Sequence, residues 1–420
     1  MFVKFGRKIF KTLPIIIAVG TLIFMVTFSH LNRVVEKDKK QNNLIEEKPI
    51  VPRETVPKGE MRAVWVPFTS LDMSGDKQKN KESFKERFDK IIKESKSHHI
   101  NTLVVHVRSH SDAMYKSKIF PWSHLLTGEQ GKDPGYDPLD YMVKAAHENE
   151  MKIHAWINPF RVQSGKIPGS LSNNNPSVKW EKDSDENSNL NVIDWRGEKF
   201  YNPASSEVRK LIIQGAKEIA ENYEIDGLHL DDYFYPTEKK EFDEASYGKY
   251  LKTVQQTSSP LNLSEFRKAN INSVVSGIYS SIKSINKDIQ LGISPRCNIE
   301  YDLSVGADVI LWGSKKGYVD YLCPQVYVNF EHPTFPFDKT SNKWREIVKG
   351  EDVKLYLGLG VYKAGSPVDN GTWKRKNDIL TNQVEYGRKI NCDGFMLFSF
   401  DSLIDKRTQP EVANVMKVFN

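Results

Sequence analysis

Ile225-Asp226-Gly227-Leu228-His229-Leu230-Asp231-Asp232-Tyr233-Phe234-Tyr235-Pro236 reads as a short buried strand that ends in two adjacent carboxylates. Side chains alternate along a strand, so His229 and Asp231 point to the face opposite Leu228 and Leu230. Gly227, Leu228 and Leu230 fit the run between the layers of a packed core. Asp232 opens the following loop, where Tyr233, Phe234 and Tyr235 supply aromatic surface of the kind that stacks on sugar rings. Strand-end aspartates also serve as turn formers and helix caps, so the pair acquires meaning only from its surroundings in the chain.

Working outward, short apolar runs alternate with amphipathic stretches from Met61 onward. Strands are expected at 61–68, 101–108, 152–158, 226–231, 289–295, 319–327, 354–361 and 393–400. Helical patterns lie between them. One covers 82–97, with Phe84, Phe88, Ile91 and Ile92 on one face. Another covers 138–149, opened by Asp137 as N-cap and Pro138 at the first helical position; further ones cover 205–223, 265–286 and 378–390. Eight strands alternating with helices over residues 60–420 favour a (β/α)8 barrel of TIM type. A doubly wound open sheet is the rival, but Val66-Pro67-Phe68-Thr69-Ser70 lacks the Gly-rich phosphate turn that such a sheet carries after its first strand. The longest insertions, 159–204 and 235–264, follow strands 3 and 4 and so fall on the face where barrel active sites form.

Upstream of residue 60 the chain changes character. Lys4, Arg7, Lys8 and Lys11 precede an uncharged apolar run from Leu13 to Phe28. Extended through Leu31, that run has about the ~20 residues of a spanning helix, and the basic flank predicts the N-terminus inside. Val26-Thr27-Phe28-Ser29-His30 has no small-x-small cleavage pattern, so an uncleaved anchor over 1–31 is expected, with a cleaved export signal as the alternative. No cysteine lies near the run, which speaks against a lipoprotein. Residues 32–59, charged and carrying Pro49, Pro52 and Pro57, read as a solvated stalk. The expected location is therefore the cell membrane, with the C-terminal domain extracytoplasmic.

The formal net charge is +6, but beyond residue 59 the Lys/Arg and Asp/Glu counts are equal. The domain is thus not built to bind a polyanion, and nucleic acid is not an expected partner. Three cysteines, Cys297, Cys323 and Cys392, without close spacing suggest core residues rather than disulfides or a zinc site.

On a barrel the strand ends converge. Strand 1 brings Trp65; strand 2 brings His106 and Arg108, followed by Asp112. Strand 3 brings His154, Trp156 and Asn158, then Arg161. After strand 4 come Asp231, Asp232 and Tyr235, beside His229; Ser294 and Arg296 follow strand 5. Gln325 and Tyr327 lie on strand 6, and Asp401 follows strand 8. Trp, Tyr, Asn, Gln, Arg and His around acids suit a neutral hydroxylated ligand held by hydrogen bonds and stacking. His106, His154 and His229 on consecutive strands could suggest a metal, yet they sit inside strands with Arg108 adjacent; neither a metal nor any other cofactor is expected. There is no G-x-S-x-G elbow for a serine nucleophile, and Pro295 stiffens the Gly292-Ile293-Ser294 turn.

The ordered motifs Met61-Arg62-Ala63-Val64-Trp65, Val107-Arg108, Ser111-Asp112-Ala113-Met114-Tyr115, His154-Ala155-Trp156-Ile157-Asn158-Pro159-Phe160-Arg161 and Asp226 to Pro236 resemble the bacterial glycosyl-hydrolase-like 10 family. Gly292-Ile293-Ser294-Pro295, Pro324-Gln325-Val326-Tyr327 and Gly394-Phe395-Met396-Leu397-Phe398-Ser399 continue the resemblance, which covers residues 60–415. It implies a (β/α)8 barrel, export, and hydrolysis of glycosidic bonds in an envelope or extracellular polysaccharide, with peptidoglycan strands foremost. A more distant similarity is to chitinase-like family 18 hydrolases. Asp226 and Asp231 match their outer strand-4 aspartates and Tyr327 their strand-6 tyrosine, but His229 replaces the middle aspartate, Tyr233 stands in place of their glutamate acid, and Val328 replaces an aspartate.

Glycoside hydrolysis needs a carboxylic acid at the leaving oxygen and a second group that attacks or activates water. Asp231 or Asp232 is expected as the acid, the other orienting it or the substrate. The second group is open between Asp401, Asp112 and an N-acetyl group of the substrate held by Tyr327 and Gln325. Two other functions fit the residues: a silent glycan-binding barrel, and a metal-dependent hydrolase or deacetylase using the three histidines.

Overall fold

The computed structural model of the protein describes residues 56–420 apart from 186–187, 233 and 255–258. The expected anchor and nearly all of the stalk, and Tyr233 in the decisive stretch, lie outside the described residues. Among those described, no helix is long and apolar enough to cross a membrane.

Eight parallel strands close into a barrel: β1 Met61–Val66, β2 Thr102–Arg108, β3 Lys152–Ile157, β4 Gly227–Leu230, β5 Gln290–Ile293, β6 Tyr321–Leu322, β7 Lys354–Gly360 and β8 Gly394–Phe398. Each pairs with its successor and β8 closes on β1, with Met61 opposite Gly394. Helices cover the outside, among them Lys81–Ser97, Pro138–Glu148, Ser206–Asn222, Leu263–Ile285 and Ile379–Lys389. The expected cap holds the second of these: the Asp137 carboxylate accepts from Asp140 N, with Pro138 in the first turn.

Alternation along the strands sorts two cores. Leu228 and Leu230 face the helices, where they join the large apolar layer around the barrel. The interior holds Met61, Ala63, Trp65, Val104, Trp156, Tyr321, Cys323, Tyr356 and Met396. This interior is crowded with rings, and two glycines make the room: a Cβ on Gly292 would overlap the Tyr321 ring, and one on Gly227 the His154 ring.

Two regions depart from expectation. The insertion 159–204 carries a three-stranded antiparallel sheet of Arg161–Gln163, Glu198–Tyr201 and Val192–Trp195, with Glu198–Tyr201 central. Its hairpin turns at Arg196 and Gly197, with φ of 54° and 83°, the primed-turn geometry that matches strand twist. Strands of three or four residues are too short to show a period, and Arg-Gly is a weaker signal than Asn-Gly. Strand 6, expected over 319–327, is regular only at Tyr321–Leu322. Pro324 has no N–H to give the ladder, and the chain continues by single bridges from Gln325 to Arg296 and Gly358.

Candidate active site

A cleft of about 350 Å³ opens at the C-terminal ends of the strands. Its walls are Trp65, Pro67, Phe68 and Thr69 from β1 and its loop, His106, Trp156 and Arg161, then Asp231, Asp232, Ser294, Gln325, Tyr327, Phe398, Ser399 and Asp401. Trp65, Tyr327 and Phe398 meet edge-on or tilted with centroids 5.5–6.3 Å apart, and Trp156 stacks on His106 at 3.8 Å. The result is a ring-lined box with carboxylates on one side, the arrangement that binds a pyranose by stacking and hydrogen bonding.

Asp231, only 4% exposed, is held from inside the barrel. Trp156 Nε1 donates to its Oδ2 at 3.1 Å and Asn158 Nδ2 donates to the same oxygen. The Asn158 carbonyl in turn accepts from Arg161 Nη2 and, at 2.9 Å, from His106 Nε2. Two donors on Oδ1 fix which way the Asn158 amide points, and they fix the His106 tautomer with its proton on Nε2. Asp232 looks the other way. Its Oδ1 accepts from Gln325 Nε2 at 3.0 Å, and its Oδ2 forms an ion pair with Arg296 Nε at 2.6 Å. Asp401 stands exposed on the rim, where Ser70 Oγ donates to it at 2.8 Å.

A buried relay supports the floor. Trp65 Nε1 can only donate, and it does so to His229 Nε2 at 3.2 Å, which leaves the His229 proton on Nδ1 facing Tyr321 Oη at 2.9 Å. Tyr321 then gives its own proton to His154 Nδ1, also at 2.9 Å. Burial pushes His229 and His106 well below the ordinary histidine range, and His154 down to about 4. All three are neutral near pH 7, so they act as shaped hydrogen-bonding groups. Among the described residues no group of three or more His, Cys, Asp or Glu side chains is arranged to hold a metal ion. Burial raises the Tyr327 phenol well above its usual value, which keeps it an O–H donor at the cleft wall.

Of the fourteen residues expected at the site, Trp65, Trp156, Arg161, Asp231, Asp232, Gln325, Tyr327 and Asp401 line the cleft, and Asn158 stands directly behind Asp231. Five lie elsewhere, each for a visible reason. A register shift between His106 and Arg108 turns Arg108 outward. Its guanidinium sits 4.4 Å over Phe120 and against Gly215 of the helix layer. Asp112 is fully buried and accepts from His124 Nδ1 at 2.7 Å and Gln130 Nε2 at 3.3 Å, tying the loop after β2 together. His154 and His229 lie beneath the floor with no exposed surface. Tyr235 turns into the outer core under Arg267, 4.9 Å from the ring, and beside Phe242. Phe234 likewise packs on Trp312, so the described aromatics after Asp232 are core residues and not a sugar platform. The aromatic surface comes instead from Phe68 and Phe398, which sequence reasoning did not single out. Phe398 was open to it, since it shares parity with Met396 on β8.

Residues 60–374 match the glycosyl hydrolase-like 10 family. The chain is 30% identical over 369 residues to the glycosyl hydrolase YngK of Bacillus subtilis strain 168, covering 82% of this chain and 69% of that protein. It is 29% identical over 375 residues to the glycosyl hydrolase DigH of Escherichia coli K12, covering 84% and 83%. Among solved structures, the fold is similar to the PgaB (BpsB) glycoside hydrolase domain from Bordetella bronchiseptica, with TM-score 0.55, 12% identity and coverage of 86% and 99%. It is also similar to the catalytic domain of a β-amylase from Paenibacillus polymyxa, with TM-score 0.56, 12% identity and coverage of 87% and 98%. The chain belongs to the glycosyl hydrolase-like 10 family, and its catalytic class is that of a glycoside hydrolase.

Proposed function

We propose that the protein cleaves the glycan strands of peptidoglycan, presented to them from the outer face of the membrane by the apolar run before residue 31, with Asp231 as general acid. The observation that carries the assignment is the unequal furnishing of the two strand-end carboxylates. Both oxygens of Asp232 are engaged by Gln325 and the Arg296 guanidinium, which suits a fixed negative charge. Asp231 is buried, only 4% exposed, and receives the neutral Trp156 and Asn158 donors on Oδ2, a desolvated and positioned setting that suits a carboxyl delivering a proton.

In this reading the sugar ring sits in the box of Trp65, Tyr327 and Phe398. Asp231 protonates the leaving glycosidic oxygen as the bond to the anomeric carbon breaks. The carbonyl oxygen of the substrate's N-acetyl group closes on that carbon, with Tyr327 beside it and Asp232 facing the positive charge that develops on the amide. Water then opens the cyclic intermediate, giving a proton back to Asp231. The acetamido requirement fits peptidoglycan, whose strand sugars carry that group.

The test is release of soluble fragments by the full-length chain from purified peptidoglycan, compared with the same glycan after N-deacetylation. Release from the first and none from the second is expected. Equal release from both would remove the N-acetyl group from the mechanism, and release from neither would remove peptidoglycan as the substrate.

A further inference from the structure

Beside the cleft lies a second basin of about 590 Å³, and the two share Thr69 and Asp401 in their walls. We propose that this basin is a second glycan site, which holds sugar units of the same chain as it leaves the catalytic box over the loops after β1 and β8. The inference rests on the hydrolase reading above and adds where the chain runs.

The two cavities adjoin: Thr69 and Asp401 line both, so a chain that leaves the box over these two residues reaches the basin next. The size falls in the ~300–1,000 Å³ range of ligand sites and exceeds that of the box itself. The chemistry differs in a telling way. In the box Phe68, Tyr327 and Phe398 are partly exposed, whereas among the described residues the only ring of the basin wall, Phe400, is 4% exposed and offers little face for stacking. What the basin presents instead is polar and charged groups of both kinds, with Asp76, Glu86 and Asp401 as acceptors beside lysine donors. Lys77 and Lys90 are exposed on its wall, and neither has a carboxylate within ion-pair distance among the described residues. Hydrogen bonds from ammonium groups to sugar hydroxyl and amide oxygens suit a site that holds a chain without distorting it. Ring stacking stays in the box, where the bond breaks.

The consequence is that turnover depends on chain length through residues remote from Asp231. The test is a ladder of defined N-acetylated glycan oligomers, from disaccharide to octasaccharide, with the full-length wild type, the double variant Lys77→Ala/Lys90→Ala, and Ser83→Trp, which fills the basin from the first turn of helix Lys81–Ser97. Wild-type kcat/KM is expected to rise with length, and the long-to-short ratio to fall by roughly fivefold or more in both variants. A thermal melt of each variant separates loss of the site from loss of the fold. If wild type cleaves the ladder and the ratio is the same in all three proteins, the second site is refuted while the hydrolase reading stands. If wild type cleaves no oligomer, the substrate reading fails and this inference with it.

Discussion

Just past the end of β4 two adjacent carboxylates line one cleft, Asp231 on its inner, more buried side and Asp232 on its outer side, and they are furnished differently. On the inner side Asp231 is sunk among Trp156, Asn158 and, behind them, His106 and Arg161. These side chains are themselves packed and hydrogen bonded, so the carboxyl is set in a rigid cage. On the outer side Asp232 is met by Gln325 and by an Arg296 whose own side chain is 45% exposed. Both residues lie just past the end of β4 and line the same cleft, so a single Asp-Asp step delivers one carboxyl to a buried, preorganised place and one beside a guanidinium. The lesson is that an adjacent pair need not share a role or a proton. In the proposed mechanism the environments separate the two roles before any substrate arrives.

The sharpest way to break this comparison is to neutralise each carboxylate in turn. Asp231→Asn should lower kcat on peptidoglycan glycan by roughly 10³-fold or more, in the upper part of the range for a lost general acid, and Asp232→Asn by about 10–100-fold. Fragment release quantified per enzyme measures both. Equal losses would dissolve the distinction. A step smaller, Asn158→Ala removes the amide that ties Asp231 to His106 and Arg161. It should lower kcat about tenfold with little change in KM, because the acid loses its position and the box keeps its rings. A rise in KM alone would assign Asn158 to binding. Arg296→Gln, on the outer side, should cost about fivefold or less, since a half-exposed ion pair contributes little.

The smallest expected effect concerns stability beneath the outer side. Asp302 accepts the Arg296 N–H on Oδ1 at 3.3 Å, and its Oδ2 is buried without a partner among the described residues. Burial raises its pKa from 3.8 to about 8. Between about pH 4 and pH 8 the folded chain therefore holds one proton more than the unfolded chain, so this group's contribution to stability falls as pH rises through that window. Asp302→Asn keeps a neutral acceptor and removes the titration. Its melting temperature should exceed that of wild type by a few degrees at pH 8 and match it near pH 4. A variant no more stable than wild type at pH 8 would contradict a neutral Asp302.

Most of the barrel was legible because β1, β2, β3, β7 and β8 are long enough to alternate and its helices are long enough to show an apolar face. Asp137-Pro138 also announces a helix start in two residues. The site was legible wherever parity held from the core to the strand end, as for Trp65, Trp156 and Asp231. It failed at Arg108, where a one-residue irregularity in β2 exchanges inside for outside and leaves no trace in the residue types. It failed again after Asp232, because Phe234 and Tyr235 suit an outer core as well as a sugar platform, and only the position of Trp312 and Phe242 decides between them. Asp112 misled through its place in a motif: a carboxylate that closes a loop and one that faces a substrate are equally polar in sequence. The partner of Asp232 was visible as Arg296 after strand 5, but nothing in the sequence brings two strand ends to within 2.6 Å.

The central claim, that Asp231 delivers the proton, is tested most directly by varying the leaving group. A substrate whose departing group is an activated phenol needs no proton to leave, whereas a sugar alcohol does. The measurement is kcat/KM of wild type, Asp231→Asn and Asp232→Asn on an N-acetylated aryl glycoside and on the natural glycan. The account predicts that Asp231→Asn loses about 10³-fold on the glycan and less than about tenfold on the aryl glycoside, while Asp232→Asn loses comparably on both. The reverse pattern, with Asp232→Asn rescued by the activated leaving group and Asp231→Asn not, would contradict it.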